Sequence, residues 1–220
     1  MYKNVGLVII DMQCDFITGS LAGHNGVPII PKINELISSR EWGKIIYTRD
    51  WHPQDHCSFA SNYKDGKTPY FTPVHIDENN TDQILWPDHC VQGTEGAEFH
   101  KDLKGDFATV ISKGTHKMVE SYSCFSKQLE NPDYFEKTGM ERCIDGLTTL
   151  VFVGMCLGYC VGSSALDSVV NGRTTLIIED HTGYVTKMSA QEMTLKLDAA
   201  KVKIMKTRSE CLAWLDANSN

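Results

Sequence analysis

Nowhere in this 220-residue chain do two lysines or arginines stand side by side, and no apolar run approaches the roughly 20 residues a membrane span needs. The first absence, together with a net charge of −7, argues against nucleic acid and anionic membrane surfaces as partners. The chain also lacks an internal repeat, a low-complexity segment and a convincing linker. One domain over residues 1–220 is therefore expected. No leader pattern is present either: Met1-Tyr-Lys-Asn runs straight into Val5-Gly-Leu-Val-Ile-Ile10, a strand followed by polar residues rather than a cleavage site. The eight cysteines are accordingly expected as reduced thiols in the cytoplasm, with a nucleus or organelle left open as other addresses. The oligomeric state stays open as well, a homo-oligomer included.

What is present is an alternation of strands and helices. Five short apolar runs stand out at Val5 to Ile10, Lys44 to Thr48, Ala108 to Ser112, Thr149 to Gly154 and Thr174 to Ile178, with a shorter sixth at Val202 to Met205. They are near-continuous rather than alternating, as central strands of a parallel sheet buried on both faces should be. Helical spacing lies between them, over Pro31 to Ser39 and Tyr159 to Val170. A third helix opens at Ser189, with Glu192 at the capping-box position and Met193, Leu195 and Leu197 behind it. The expected fold is α/β: a doubly wound, mainly parallel six-stranded sheet with helices on both faces, its active site beyond the C-terminal strand ends. One irregular stretch, Pro53 to Phe99, is rich in Asp, Asn, Gly, Pro, His and aromatics, and its length suggests a functional insertion.

Polar residues gather at the ends of these strands. Asp11 follows the first, Asp50 closes the second, Lys113 ends the third, and Cys160 lies six residues past the glycine that closes the fourth. Parallel strands bring all four to one sheet edge. There Lys113 and a helix N-terminus would favour a Cys160 thiolate, and Asp11 could accept and return a proton. Taken singly, Asp11 also fits a helix cap, Lys113 a solvated strand end and Cys160 a buried structural thiol. A second constellation is Asp50-Trp51-His52, whose first and third residues share a face in extended chain. With His89 as third ligand, this set suits one divalent ion, Zn²⁺ foremost and Fe²⁺ or Mn²⁺ as alternatives, with positions left for water or substrate. His56 and Cys57 are alternative ligands.

On these residues the chain resembles the nicotinamidases of the isochorismatase-like cysteine hydrolases. Five segments match in order: Val8-Ile-Ile-Asp-Met-Gln-Cys-Asp-Phe16; Thr48-Arg-Asp-Trp-His-Pro-Gln-Asp-His-Cys-Ser-Phe59; Leu85-Trp-Pro-Asp-His-Cys-Val-Gln-Gly-Thr-Glu-Gly96; Lys113 with Glu120-Ser-Tyr-Ser-Cys-Phe125; and Gly154-Met-Cys-Leu-Gly-Tyr-Cys160 with Ser164-Ala-Leu-Asp167. The resemblance implies a Rossmann-like three-layer fold, a triad of Asp11, Lys113 and Cys160, and metal ligands Asp50, His52 and His89. It places Phe16, Tyr122 and Trp86 around a pyridine ring whose nitrogen meets the metal. It also implies a cis Met155–Cys156 peptide, with the N–H groups of Cys156 and Cys160 as an oxyanion hole. The implied reaction is hydrolysis of nicotinamide to nicotinate and ammonia through a Cys160 thioester, a step of NAD salvage. Another small-amide or N-carbamoyl hydrolase of the same superfamily is the alternative, and a non-catalytic metal-binding or redox-sensing protein is the reading from a different class. Gly158 departs from the acidic residue usual in that family, which predicts altered local geometry. Cysteines 14, 57, 124 and 156 are expected near the site, where oxidation would reach them.

Overall fold

A computed structural model of the chain describes residues 2–63, 69–76, 82–128 and 135–218. Six strands form one sheet: β1 (Tyr2–Ile10), β2 (Trp42–Asp50), β3 (Val110–Lys113), β4 (Thr149–Gly154), β5 (Thr174–Thr182) and β6 (Lys203–Met205). Their spatial order is β6-β5-β4-β1-β2-β3, and every neighbouring pair is parallel. The sheet is thus wholly rather than mainly parallel. The chain winds outward from β1 through β2 to β3, then returns to the other side of β1 and winds through β4 and β5 to β6. The reversal falls between β1 and β4, the crevice where open α/β sheets place their ligands.

Continuous apolar strands are what such a sheet demands, because each strand feeds two cores. Val5, Leu7 and Ile9 of β1, with Val151 and Val153 of β4, pack on one side against Ile29, Ile33 and Leu36 of helix α1 (Gly26–Ser39) and against Cys211 and Leu215 of a C-terminal helix (Arg208–Asn218). Val8, Ile10, Leu150 and Phe152 point the other way, to Val161, to Ala165 of helix α2 (Gly162–Val170) and to Met193 and Leu197 of helix α3 (Lys187–Ala199). Alternation on the pleat thus builds three layers from runs that look uniformly apolar.

The helix boundaries differ from the expectation in three places. Helix α1 begins five residues before Pro31 and carries that proline inside, its buried isoleucines continuing across it. The N-cap of α3 is Thr186, whose Oγ1 accepts the Ser189 N–H at 3.1 Å, so Ser189 stands at the third helical position and Glu192 is no capping-box partner. Leu195 is 73% exposed, because residues two apart on a helix cannot both join the face of Met193 and Leu197. The segment from Tyr159 opens as a π-turn over Leu157–Val161 before α2 proper.

The described residues of the stretch 53–99 carry the fully buried His56, Phe59, Leu85 and Cys90, tied back by bridges of His52 to Val91 and Phe59 to Trp86. Positions 64–68 and 77–81 of that stretch lie outside the described residues. All eight cysteines are free thiols, as expected. Among the described residues no helix is long and apolar enough to cross a membrane.

Ile33 is fully buried on the α1 face. Ile33→Ala should lower the stability of the protein by about 2–5 kcal/mol in urea unfolding while leaving metal affinity unchanged, since it opens a cavity remote from the strand ends.

Candidate active site

The strand ends converge on one fully buried ammonium. Lys113 Nζ lies 3.0 Å from Asp11 Oδ2 and 3.3 Å from Cys160 Sγ, donates a short hydrogen bond to Asp50 Oδ1, and donates to the Ser121 carbonyl at 3.1 Å. The register aligns Asp50 of β2 with Lys113 of β3 and Ile10 of β1 with Gly154 of β4, which delivers the four chains to one point. At the β1–β4 crossing the backbones nearly touch. A Cβ on Gly154 (φ +112°) would stand 2.1 Å from the Ile10 carbonyl oxygen, so only glycine fits. Asp11 itself turns off the strand at φ +47°, and its carboxylate Oδ1 accepts the Thr48 hydroxyl at 2.6 Å. Gln13 holds Asp50 from behind, its amide donating to the Asp50 carbonyl at 2.7 Å and accepting the Asp50 N–H at 2.8 Å.

Charge in this cluster follows from burial and proximity. Burial opposes the Lys113 charge, but Asp11 and Asp50 outweigh it and hold the amine protonated well above its ordinary range. Burial would also protonate Asp50, yet Lys113 and His52 keep it ionised well below the usual carboxylate range. Asp11 is raised to about 6, mainly by burial, with Lys113 pulling the other way and Asp50 adding to the rise. The Cys160 thiol corrects the expectation of a lowered pKa. Burial pushes it well above the ordinary thiol value, and Lys113 offsets this only in part against Asp11 and Asp50. Nor does Cys160 stand at a helix N-terminus; it lies within the π-turn that precedes α2.

On the far side of Asp50 is the second constellation. Asp50 Oδ2 lies 3.6 Å from His52 Nε2 and 3.9 Å from His89 Nε2, and the three side chains offer ligand atoms within 4.8 Å of one another. Both histidines spend their other nitrogen on a backbone carbonyl: His52 Nδ1–H donates to Gly114 O at 2.8 Å and His89 Nδ1–H to Pro87 O at 2.7 Å. Those bonds fix the tautomer and leave Nε2 lone pairs aimed at the carboxylate. His52 Nε2 is buried without a hydrogen-bond partner. Burial opposes charge on His52, but Asp50 overrides it and raises the imidazole to about 9, so a cation that takes the Nε2 lone pair displaces a proton there. One carboxylate and two imidazoles, presenting free lone pairs to one spot, fit a divalent cation. His56 groups with His52 and Glu120 rather than with Asp50 and His89; its Nδ1 pairs with Ser58 Oγ at 2.8 Å and its Nε2 with the Val119 carbonyl at 3.3 Å, and burial lowers it to about 4. Burial raises the Cys57 thiol to about 12, which leaves it a poor ligand. The combination of Asp11, Asp50 and Cys160 also clusters, but the Lys113 ammonium already sits among those atoms.

Above both sites opens a narrow cavity, lined by Asp50, His89, Cys156 and Cys160 below and by Phe16, Trp86 and Tyr122 around it. Its aromatic wall is interlocked: Trp86 Nε1–H donates to Tyr122 Oη at 3.1 Å, and Trp86 meets Tyr159 edge-on at 4.9 Å. Leu21, Glu120, Tyr159 and Val185 also line the cavity, and sequence reasoning did not select them. Glu120 lay within a quoted motif and Tyr159 beside the thiol; Leu21 and Val185 carried no signal. The Met155–Cys156 peptide is cis, as the resemblance implied. Of the cysteines expected nearby, Cys156 faces the cavity, whereas Cys124 is in the core beneath α2 and Cys14 and Cys57 do not line it. At Gly158 a Cβ would stand 2.6 Å from Ser189 Oγ and 2.9 Å from its Cβ, so α3 has closed over the place where the family carries an acidic side chain.

An open parallel α/β sheet with a thiol, an ammonium and a carboxylate at its switch point, beside an Asp/His₂ ligand set, defines a class of hydrolytic site. Residues 5–209 match the isochorismatase domain, and the chain belongs to that family. It is 38% identical over 182 residues to a nicotinamidase of Acinetobacter baylyi, covering 81% of this chain and 80% of that protein. The solved nicotinamidase/pyrazinamidase of Acinetobacter baumanii superposes with a TM-score of 0.82 at 35% identity, over 92% of this chain and 96% of that one. A pyrazinamidase of Pyrococcus horikoshii, solved in complex with zinc, superposes with a TM-score of 0.71 at 31% identity, over 92% of this chain and 98% of that one.

Gly114 (φ +63°) has the His52 ring directly against it: a Cβ there would lie 2.2 Å from His52 Cε1. Gly114→Ala should therefore displace the imidazole and weaken zinc binding at least tenfold in a chelator-competition titration.

Proposed function

We propose that this chain is a metal-dependent nicotinamidase that hydrolyses nicotinamide to nicotinate and ammonia, with Asp11, Lys113 and Cys160 as its catalytic groups. One observation carries the reading. Asp50 joins the two halves of the site, holding Lys113 with one oxygen and facing His52 and His89 with the other. The aromatic wall beside Cys160 suits the face of a flat ring amide, and the curated nicotinamidase named above supplies the substrate class.

Asp50, His52 and His89 would hold a divalent cation, zinc by analogy with the Pyrococcus horikoshii protein, and it would give the ring nitrogen a Lewis-acidic anchor. Phe16, Trp86 and Tyr122 clamp the ring so that the amide carbon faces Cys160. The Cys160 thiol rests protonated, so its proton must leave as it attacks. Asp11, whose carboxylate lies within 4.8 Å of the sulfur, takes that proton, and Lys113 stabilises the developing thiolate at 3.3 Å. Sulfur bonds to the carbonyl carbon, and the N–H groups of Cys156 and Cys160 receive the oxyanion. Asp11 returns the proton to the leaving nitrogen, ammonia departs, and a thioester remains. Asp11 then draws a proton from water as it attacks the thioester; nicotinate leaves and the thiol is restored. Release of nicotinate from a spent pyridine amide places the enzyme in NAD salvage.

The test is ammonia release from nicotinamide by metal-loaded, reduced protein. Turnover should fall on chelation, return with zinc, and drop by at least three orders of magnitude in Cys160→Ala. Metal-loaded wild type that leaves nicotinamide intact would remove the substrate assignment and turn attention to other small amides. Because the reaction starts from ionised Asp11, kcat/KM should rise with pH through about 6, the pKa to which burial brings that carboxyl. A flat profile from pH 5 to 7 would assign the proton transfer elsewhere.

A further inference from the structure

Glu136 belongs to no motif of the site, yet it is 3% exposed and its carboxylate is fully committed to the turn that follows β3. Oε2 accepts the Gly114 N–H at 2.8 Å; Oε1 accepts the Thr115 N–H at 2.6 Å and the Thr115 hydroxyl at 2.8 Å. The residue ends a two-residue ribbon, Phe135–Glu136 paired with Lys127–Gln128. A carboxylate buried this deeply is costly unless its partners are well placed, and three short bonds to one turn meet that condition.

The connection to the site runs through a single peptide unit. The Thr115 N–H that meets Oε1 and the Gly114 carbonyl that receives His52 Nδ1–H at 2.8 Å belong to the same peptide group. A carboxylate on the N–H side pushes electron density toward the carbonyl oxygen, because hydrogen bonds in series polarise one another. The carbonyl then draws more strongly on Nδ1–H, and the lone pair on Nε2 becomes a better donor. Carboxylates that contact a ligating histidine directly do this in many metal sites; here one peptide bond stands between them. The other contact, to Gly114 N–H, pins the preceding peptide, whose Lys113 carbonyl accepts the Trp51 N–H at 2.9 Å. Glu136 thereby also fixes the spacing of Lys113 and His52 on their adjoining strand ends.

We propose that Glu136 is a positioning residue for the divalent cation, orienting His52 and raising its basicity through the Gly114–Thr115 peptide. The proposal rests on the cation role given above to Asp50, His52 and His89. It is tested by zinc affinity rather than turnover. Full-length protein, stripped of metal, is titrated with zinc against a chromogenic chelator. Glu136→Gln should bind zinc about 10–100-fold more weakly than wild type. Glu136→Gln placed on a His52→Ala background should add no further loss, because its route to the metal is already cut. Visible bands of the cobalt-loaded protein should shift in Glu136→Gln, as a changed imidazole donor requires. Wild-type zinc affinity in Glu136→Gln, or the same loss with and without His52, would overturn the proposal. Should Glu136→Gln fail to fold, the Thr115 amide proton of the zinc-loaded wild type decides. A strongly downfield resonance is expected for an N–H on a carboxylate, and an ordinary one would overturn the proposal. Wild type that takes up no zinc would sink the cation reading itself, whereas zinc uptake indifferent to Glu136 would sink only this inference.

Discussion

A fully buried ammonium governs this structure. Lys113 cannot be withdrawn from water unless anions meet it, and the sheet supplies them at fixed places, Asp11 just after β1 and Asp50 at the end of β2, with the Cys160 thiol beyond β4 beside them. Much of the surrounding architecture serves to hold those three partners. Thr48 steadies Asp11, Gln13 grips the backbone of Asp50, and Gly154 lets β1 and β4 approach closely enough for Asp11 and Cys160 to share one cation. Glu120 is a third buried carboxylate close by, set against His52 and His56 rather than Lys113. A divalent cation held by Asp50, His52 and His89, as proposed, would add positive charge beside those carboxylates.

Asp50 is the hinge of that arrangement. Its two oxygens serve different masters, one the lysine and the other the two histidines, so neither half of the site can be altered without the other sensing it. The chemistry follows from the same economy of placement. A thiol whose pKa is pushed up by burial does not stand ready as a thiolate in the resting site; in the proposed reaction it becomes nucleophilic only as Asp11 takes the proton beside Lys113. That coupling confines reactivity to the moment when a carbonyl is in place.

Much of this was legible in the sequence, and the boundary of legibility is physical. Strands buried on both faces betray themselves as unbroken apolar runs, and in a parallel sheet the residue after each run must come to the same edge. Asp11, Asp50, Lys113 and Cys160 were therefore readable by position alone. Interruptions such as Thr186 before α3 were not, because Ser189 offers an equally good local cap and only the tertiary entry of the chain decides between them. The direction of the Cys160 shift was misjudged for a similar reason: charge partners show in a motif, whereas depth of burial depends on everything packed above it. Leu21 and Val185 illustrate the extreme, apolar residues from distant segments whose meeting at the cavity leaves no trace in either segment. Glu136 is similar, since nothing in Phe135-Glu136 says which turn it will hold.

The partners of Lys113 and Asp11 are far apart along the chain: 37 residues separate Asp11 from Thr48, 63 separate Asp50 from Lys113, and 47 separate Lys113 from Cys160. None of these contacts can form from a local turn or hairpin, and each must await closure of a long loop into a parallel sheet, among the slowest events in folding. A chain still emerging from synthesis would thus carry a finished β1 and β2 for some time with no place for Lys113 and no nucleophile at all. The thiol proposed as nucleophile arrives with the fourth strand, so on that proposal amide chemistry would be withheld until the fold is nearly complete, and a chain cut short before Cys160 would carry none.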